Sequence, residues 1–312
     1  MKVCDPHFHL WDINERPNPN LGTAVEENLP RYVGADYLRD MQQLPAPLEL
    51  VSSVHVETVV GQMAGGAVID TLTETRFVSA QLSARQHPAG IVAYVHLARD
   101  TAMAEKILLE HAEAADGRLR GVRMILNHHP ENADLTWPQV ERGDFVGSTV
   151  FKEGIALLGE HGLSFDLQCN PHQFIDAAAT FADLAQTPVI LNHLGSFHDG
   201  EDEEYEQMWR QGMKALAALP HVSVKLSMLF FCAQGYHEDE DKEEHVRRLV
   251  REVIDMFGAD RCMFASNYPV DRIQGIDVAT LYGRFVAWTQ DWSEAERAAL
   301  FHDTAARVYR LD

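Results

Sequence analysis

Two histidines occupy alternate positions near the start of the chain, in the run DPHFH that begins at residue 5. Because a β-strand places alternate side chains on one face, we expect His7 and His9 to project together, with Asp5 on the same side. Two imidazoles in this arrangement can bind a metal ion or act as a catalytic pair. A third histidine, His193, ends the apolar run PVILNH. The sequence therefore predicts a cluster of three histidines contributed by two strands.

The elements that must position these residues recur along the chain. Eight short runs rich in β-branched and aromatic residues begin near residues 2, 48, 90, 119, 163, 187, 221 and 261, and amphipathic stretches separate most of them. This alternation is typical of βα units around a parallel sheet, and eight units close a barrel. We therefore predict one α/β domain, a (β/α)8 TIM barrel over residues 1–312, with the histidines at the C-terminal ends of the strands. Residues 13–35, rich in Pro, Asn and Gly, predict a long loop on that face.

Charge and cysteine content limit the partners and the location. The chain has 47 acidic and 26 basic side chains, for a formal net charge of -21. A field of this sign repels nucleic acid and anionic lipid head groups, so we predict neither as a partner and expect a small neutral or monoanionic substrate. The four cysteines are far apart and are predicted to be reduced core residues. With no signal-like start and no run of 18 apolar residues, we predict a cytoplasmic protein; a homodimer is a general expectation only.

Six blocks in a fixed order resemble the amidohydrolase superfamily, and specifically its branch of sugar-lactone and 2-pyrone-4,6-dicarboxylate lactonases. The blocks are DPHFHLWD, VHVE, GVRMIL, FDLQCNPHQ, VILNHLG and CMFASNYPVD, and the resemblance extends from residue 3 to about residue 272. It implies a distorted TIM barrel with long catalytic-face loops that hydrolyses small cyclic esters with water, in a setting of carbohydrate catabolism. His7 and His9 match the histidine pair of the first strand, Arg123 matches a substrate-binding arginine of the fourth, and His193 matches the histidine of the sixth.

Two positions depart from the wider superfamily and bear on metal binding. Asn267 occupies the place of a strand-eight aspartate, and Gln168 is near the place of a strand-five histidine in many metal-dependent members. His7, His9 and His193 could still bind one divalent metal, zinc first, but a neutral amide is a poor ligand. We therefore favour catalysis that requires no cofactor and keep one divalent metal as the alternative.

The general base is the second open question, because the amide of Asn267 has negligible basicity. The candidates are Asp271, then Glu57, then one of the histidines. Both acids also have structural interpretations: Asp271 could form a salt bridge to Arg272 or cap a helix, and Glu57 could pair with Arg123.

Further residues at the strand ends are expected to contact the substrate. Arg123 suits a carboxylate or a ring hydroxyl through its planar guanidinium, unless it pairs with a buried acid. The remaining candidates follow the first, fourth, fifth and eighth strands: Trp11, His128, Gln168, His172, Asn267 and Tyr268.

These residues lead to a prediction of function. We predict a hydrolase that opens a small lactone, sugar-derived or a related cyclic ester, by attack of water on the carbonyl. The histidine cluster would stabilise the oxyanion, which is usually the largest catalytic contribution. Two alternatives stay open, because barrels support many chemistries: a metal-dependent amidohydrolase or decarboxylase, and a non-catalytic small-molecule binding protein.

Overall fold

Eight parallel strands form one sheet in chain order in the computed structural model, which describes residues 1–62, 68–83, 89–137, 139–140, 143–198 and 203–311. Each strand is hydrogen-bonded to the next, and a parallel bridge between Phe8 and Tyr268 joins the two ends of the sheet. The predicted (β/α)8 barrel is therefore confirmed. The strands are β1 (Lys2–Phe8), β2 (Glu49–Val56), β3 (Ala89–Ala93), β4 (Leu119–Ile125), β5 (Ser164–Gln168), β6 (Val189–Leu191), β7 (Val222–Leu226) and β8 (Cys262–Phe264).

Helices separate the strands along the chain. Among the described residues, no helix is long and apolar enough to cross a membrane. The α-helices are Gly22–Asn28, Gly34–Met41, Thr71–Ser83, Thr101–Ala114, Thr149–Glu160, Phe174–Phe181, Glu203–Ala217, Glu240–Phe257, Val270–Ile273, Val278–Trp288, Glu294–Ala298 and Thr304–Tyr309, with one π-helical turn at Ala299–Asp303 and 3₁₀ turns at Pro19–Leu21, Ala133–Leu135, Pro171–Gln173, Leu229–Phe231 and Ala259–Arg261.

The segment predicted as a long loop after β1 contains regular structure of its own. A short antiparallel pair joins Trp11–Asp12 to Arg31–Tyr32, and a 3₁₀ turn and a helix lie between them. The Asn18 side chain caps the turn by accepting from the Asn20 backbone N–H at 3.1 Å. The prediction of an irregular loop was wrong because these local side-chain hydrogen bonds give a Pro- and Asn-rich segment a defined turn.

The C-terminal segment closes the end of the barrel opposite the strand C-termini. Tyr309 and Leu311 belong to one buried cluster with apolar side chains of five strands, among them Cys4, Val54 and Met263. Arg310 donates to the carbonyl of Arg120 at the start of β4, at 3.0 Å. This arrangement leaves the C-terminal ends of the strands as the accessible end. All four cysteines are buried and free, as predicted.

Candidate active site

β1 carries His7 and His9 to the C-terminal end of the barrel, but it is irregular. Its register with β2 shifts between Asp5 and Phe8. The Asp5 carboxylate accepts hydrogen bonds from the Tyr37 hydroxyl at 2.8 Å and from the Ser266 backbone N–H and hydroxyl at 2.8 and 2.7 Å. The expectation that Asp5 would join the histidines was wrong, because the irregularity breaks the simple alternation and the carboxylate holds β1 to the segment after β8.

Hydrogen bonds fix which nitrogen of each ring in β1 carries the proton. His9 Nδ1 lies 2.8 Å from the carbonyl oxygen of Val56, which can only accept, so Nδ1 is protonated and Nε2 carries the lone pair of the neutral ring. His9 Nε2 lies 3.2 Å from His7 Nε2, which must then donate. His7 Nδ1 is left as the acceptor for the Lys225 ammonium at 3.3 Å. The Val56 carbonyl therefore sets the tautomer of His9, and Lys225 together with His9 sets that of His7.

Burial keeps the three histidines uncharged. Desolvation lowers the pKa of His9 to about 3 and places the pKa values of His7 and His193 well below 6.5. The nearby cations Arg123 and Lys225 lower these pKa values further, because they disfavour another positive charge. At neutral pH the rings are therefore neutral imidazoles that can accept a proton or share a hydrogen bond.

His193 is held by a turn with left-handed backbone that directly follows β6. The φ angles of His193, Leu194, Gly195 and Ser196 are 56°, 51°, 70° and 51°. Such a conformation costs about 1–3 kcal/mol at a non-glycine residue and is concentrated at functional sites. The ring of His193 lies 4.5 Å from that of His7, and its Nδ1 lies 3.1 Å from the hydroxyl of Ser227. Its Nε2 makes no hydrogen bond to any residue that the structure describes.

Arg123 is positioned by an almost completely buried network. Its Nε donates to Glu57 Oε1 at 2.7 Å, one terminal nitrogen donates to Gln168 Oε1 at 3.0 Å, and the other to the backbone carbonyl of Glu57. The second carboxylate oxygen of Glu57 accepts from the Val60 N–H at 3.0 Å and from Gln139 Nε2 at 3.1 Å. Both carboxylate oxygens of Glu57 thus accept hydrogen bonds from the protein, and this places Glu57 as the structural partner of Arg123 and not as the base. One N–H on each terminal nitrogen of Arg123 remains for a ligand.

Asp271 lies behind Asn267. Asn267 Nδ2 donates to Asp271 Oδ2 at 2.8 Å, while the Asp271 side chain is fully buried. Burial, and secondarily the charge of Asp5, raises the pKa of Asp271 to about 8, so this carboxyl is protonated at neutral pH. Arg272, the alternative partner, instead pairs with Asp40 at 2.9 Å. A protonated group that lies outside the cavity cannot take a proton from water there, so the structure places Asp271 as a positioning residue for Asn267.

Replacing Asp271 by asparagine tests this assignment. We expect kcat/KM at pH 7 to change little, whereas loss of a general base typically costs about 10²–10⁴-fold. Because the folded-state pKa is raised from 3.8 to about 8, the native state holds a proton that the unfolded state has released. The wild type therefore loses stability as pH rises through that window, and the variant does not.

The measurements for Asp271→Asn are kcat/KM at pH 7 and denaturant unfolding at pH 6 and pH 9. The gain in stability of the variant over the wild type should be larger at the higher pH. Asp291→Asn, at an exposed carboxylate paired with Arg251, is the control and should show no such trend. A collapse of activity in a folded Asp271→Asn protein would restore Asp271 as the base.

These side chains surround a cavity of about 80 Å³ at the C-terminal ends of the strands. His9, His193, Arg123, Gln168 and Asn267 supply its polar wall. His7 lies behind His9 and His193 and does not line the cavity. The apolar wall is formed by Trp11, Leu21, Ile125, Trp137, Met228 and Val270.

Three predicted substrate-binding residues lie away from this cavity. The Tyr268 hydroxyl donates to the Ile276 carbonyl at 2.6 Å, so this ring is a buried structural element. His172 packs against His129, with ring centroids 4.8 Å apart, beside a separate pocket. His128 is fixed at its backbone N–H by the Gln173 side chain at 3.3 Å, and it does not line the cavity either. The turns after β4 and β5 pack on each other, and this packing directs both histidines elsewhere.

Sequence reasoning missed the charged groups beneath the histidines. Lys225 on β7 and Asp166 on β5 are fully buried and form an ion pair. The Asp166 carboxylate also accepts from the Tyr309 hydroxyl, at 2.9 Å to each oxygen, and from Asn192 Nδ2 at 3.0 Å. One signal was available, since a single charged residue inside an otherwise apolar strand is almost never buried unless it is paired.

The donor set does not fit a resident divalent metal ion. His7 Nε2 and His9 Nε2 are 3.2 Å apart, but the contact between His7 Nδ1 and Lys225 keeps the proton on His7 Nε2, the atom that a metal would need. Metal-binding histidines normally donate their other N–H to a carboxylate or carbonyl; His9 does so to the Val56 carbonyl, but His7 Nδ1 faces the Lys225 ammonium. The neutral amides of Gln168 and Asn267 add no anionic ligand. Within the described residues, no group of three His, Cys, Asp or Glu side chains could hold a metal ion.

Comparisons with known proteins give a consistent picture. The family model described as Amidohydrolase matches residues 4–311. The protein y4mH of Sinorhizobium fredii, which is uncharacterized, is 32% identical over 99% of this chain and 98% of its own length. An L-fucono-1,5-lactonase of Burkholderia multivorans is 28% identical over 98% of this chain and 95% of its own. The crystal structure of a Burkholderia multivorans amidohydrolase with bound zinc is 26% identical, with a TM-score of 0.79 and full coverage of both chains.

Proposed function

The chain belongs to the amidohydrolase family, and on that basis we propose that it is a hydrolase that opens a small lactone by attack of water on the carbonyl carbon. One observation carries the proposal. Two neutral imidazoles and a positioned guanidinium line a single cavity at the catalytic end of the barrel. The similarity to an L-fucono-1,5-lactonase over almost the full length of both chains supports the same reaction class.

We propose that His193 takes the proton from the attacking water. In the tautomer that donates Nδ1–H to Ser227, the Nε2 lone pair is free to accept from water in the cavity. The proton moves to Nε2 as the oxygen of water bonds to the carbonyl carbon. It can then pass to the ring oxygen of the lactone as the C–O bond breaks, which gives a hydroxy acid.

Arg123 is proposed to hold the oxygen on which negative charge develops. Its network with Glu57 and Gln168 fixes the guanidinium before substrate arrives, and two of its N–H groups remain for the oxyanion. Preorganised donors of this kind are effective because they need no reorientation in the transition state. The Nδ2 group of Asn267 is oriented by Asp271 at the rim of the same cavity, and the His9 ring lies beside it.

An ester substrate fits this set of groups better than an amide. The cavity wall contains no serine, cysteine or lysine, so the described residues offer no acyl-enzyme route beyond the hydroxyl of Thr58. An alkoxide leaves without the full protonation that an amine requires, and the imidazolium that His193 forms when it takes the proton from water supplies the proton for that step. We therefore propose a lactone, sugar-derived and neutral or monoanionic, as the substrate class. A net charge of -21 agrees with that choice.

Chelation tests the proposal that no cofactor is required. We expect the purified protein to keep its kcat/KM toward its lactone after dialysis against a strong chelator, because Lys225 and two neutral amides surround the histidines. The measurement is hydrolysis of a panel of aldonolactones and pyrone or muconate lactones, followed with a pH indicator. Metal content is determined on the same sample. Activity that disappears on chelation and returns with zinc would contradict the proposal.

We also propose a cytoplasmic protein in carbohydrate catabolism, in which a dehydrogenase supplies the lactone, and a homodimer as its assembly. These proposals rest on the composition of the chain and on its family. Fractionation and light scattering would test them directly.

A further inference from the structure

A second cavity adjoins the catalytic one. It has a volume of about 300 Å³ and lies between the segment after β1 and the start of the helix Thr71–Ser83. Trp11 and Thr58 line both cavities, so the two spaces adjoin at these side chains. A group attached to a ligand in the catalytic cavity could therefore enter the second cavity beside them.

Polar groups around the second cavity have unused hydrogen-bonding capacity. Glu74 is buried, with 3% of its surface exposed, and its Oε1 accepts a hydrogen bond from the Thr58 N–H at 2.9 Å. Glu74 lines the cavity. Arg16 Nε and the Thr58 hydroxyl are buried and lack a hydrogen-bond partner within the part of the chain that the structure describes. Buried polar groups are normally satisfied, so this set indicates a polar ligand.

Charge and geometry narrow the ligand class. The wall carries three carboxyl groups, Glu15, Asp70 and Glu74, against the single cation Arg16, so an anionic ligand would be repelled. The Arg16 guanidinium lies over the Phe77 ring at 4.1 Å, a cation–π contact that holds it in the cavity wall. Arg16 Nε offers a donor and the Thr58 hydroxyl offers both a donor and an acceptor, and ligand hydroxyl groups can serve both because each is a donor and an acceptor. A neutral polyol ring fits these conditions.

We propose that the second cavity is a subsite for a second sugar ring attached to the lactone, so that the substrate is a glycosylated aldonolactone. This inference rests on the proposed lactonase function and names its substrate class. The lactone ring would occupy the cavity of His193 and Arg123, and the attached ring would pass Trp11 and Thr58 to contact Glu74 and Arg16.

The test compares pairs of substrates. The aldonolactones that the enzyme hydrolyses are assayed beside their glucosyl and galactosyl derivatives, for wild type and for Arg16→Ala. We expect the wild-type ratio of kcat/KM, glycosylated over unglycosylated, to exceed about 10, and Arg16→Ala to bring it close to one. Arg39→Ala, at an exposed arginine outside both cavities, should keep the wild-type ratio. Thr73→Phe, which fills the second cavity, gives an independent variant if Arg16→Ala does not fold.

The outcomes separate the subsite from the function. A wild-type ratio near one, or a high ratio that survives both Arg16→Ala and Thr73→Phe, overturns the subsite while the lactonase function stands. If the wild type hydrolyses no lactone, the proposed function fails. Calorimetric binding of maltose then tests the cavity by itself, and no binding, or binding unchanged in Arg16→Ala, overturns the subsite as well.

Discussion

Replacing Arg123 by lysine is expected to lower kcat/KM by about 10²–10³-fold, the loss typical of one preorganised oxyanion donor. Lysine keeps the positive charge but cannot donate to Glu57 Oε1, the Glu57 carbonyl and Gln168 Oε1 at once, because its ammonium is a single point. The loss should appear mainly in kcat if Arg123 binds the oxyanion. It should appear mainly in KM if Arg123 binds a substrate carboxylate.

Stability must be separated from catalysis in this experiment. Arg123→Met alone removes the positive charge and leaves the Glu57 carboxylate buried and unpaired, which typically costs about 3–5 kcal/mol of folding stability. The double variant Arg123→Met with Glu57→Gln removes both charges and should recover stability without activity. Arg251→Lys, at a surface ion pair with Asp291, is the matched control and should retain full activity. A folded Arg123→Lys protein with wild-type kcat/KM would exclude Arg123 from the transition state.

Replacing His193 by glutamine is expected to lower kcat/KM by about 10²–10⁴-fold, because the side chain that accepts the proton from water is lost. Glutamine can still contact Ser227, so the turn after β6 should keep its shape. His302→Gln, at a histidine paired with Asp303 on the far C-terminal segment, is the control for a general effect of histidine loss. Near-normal turnover in a folded His193→Gln protein would contradict the assignment of His193 as the general base and would leave His9 as the candidate.

The pH profile of the wild type supports the same assignment. Desolvation, and secondarily the charge of Arg123, places the pKa of His193 well below 6.5, so the base stays unprotonated at the pH where a solvated histidine titrates. We therefore expect log kcat/KM to stay flat as pH falls from 7 through 6.5. An acid limb with an apparent pKa near 6.5 would show instead that the essential base is an ordinary, solvated histidine.

The sequence by itself determined the barrel and the position of its catalytic end. Eight apolar runs separated by amphipathic stretches can bury their surface in few ways, and a parallel barrel brings the ends of all eight strands together. Arg123, His9 and His193 could therefore be assigned to one site, because each lies close to the C-terminal end of a strand. Asn267 and Gln168 were identified instead from the resemblance to the superfamily, in which these positions carry other residues.

Only the tertiary structure decided the roles of the acidic residues. The sequence favoured Asp271 first and Glu57 second as the base, but Asp271 is buried, protonated and hydrogen-bonded to Asn267, and Glu57 is paired with Arg123. The tautomer of His7 likewise depends on Lys225, which is 218 residues away from His7 along the chain. Burial and hydrogen-bond partners set a pKa, and both arise from contacts between distant segments that strand periodicity does not encode.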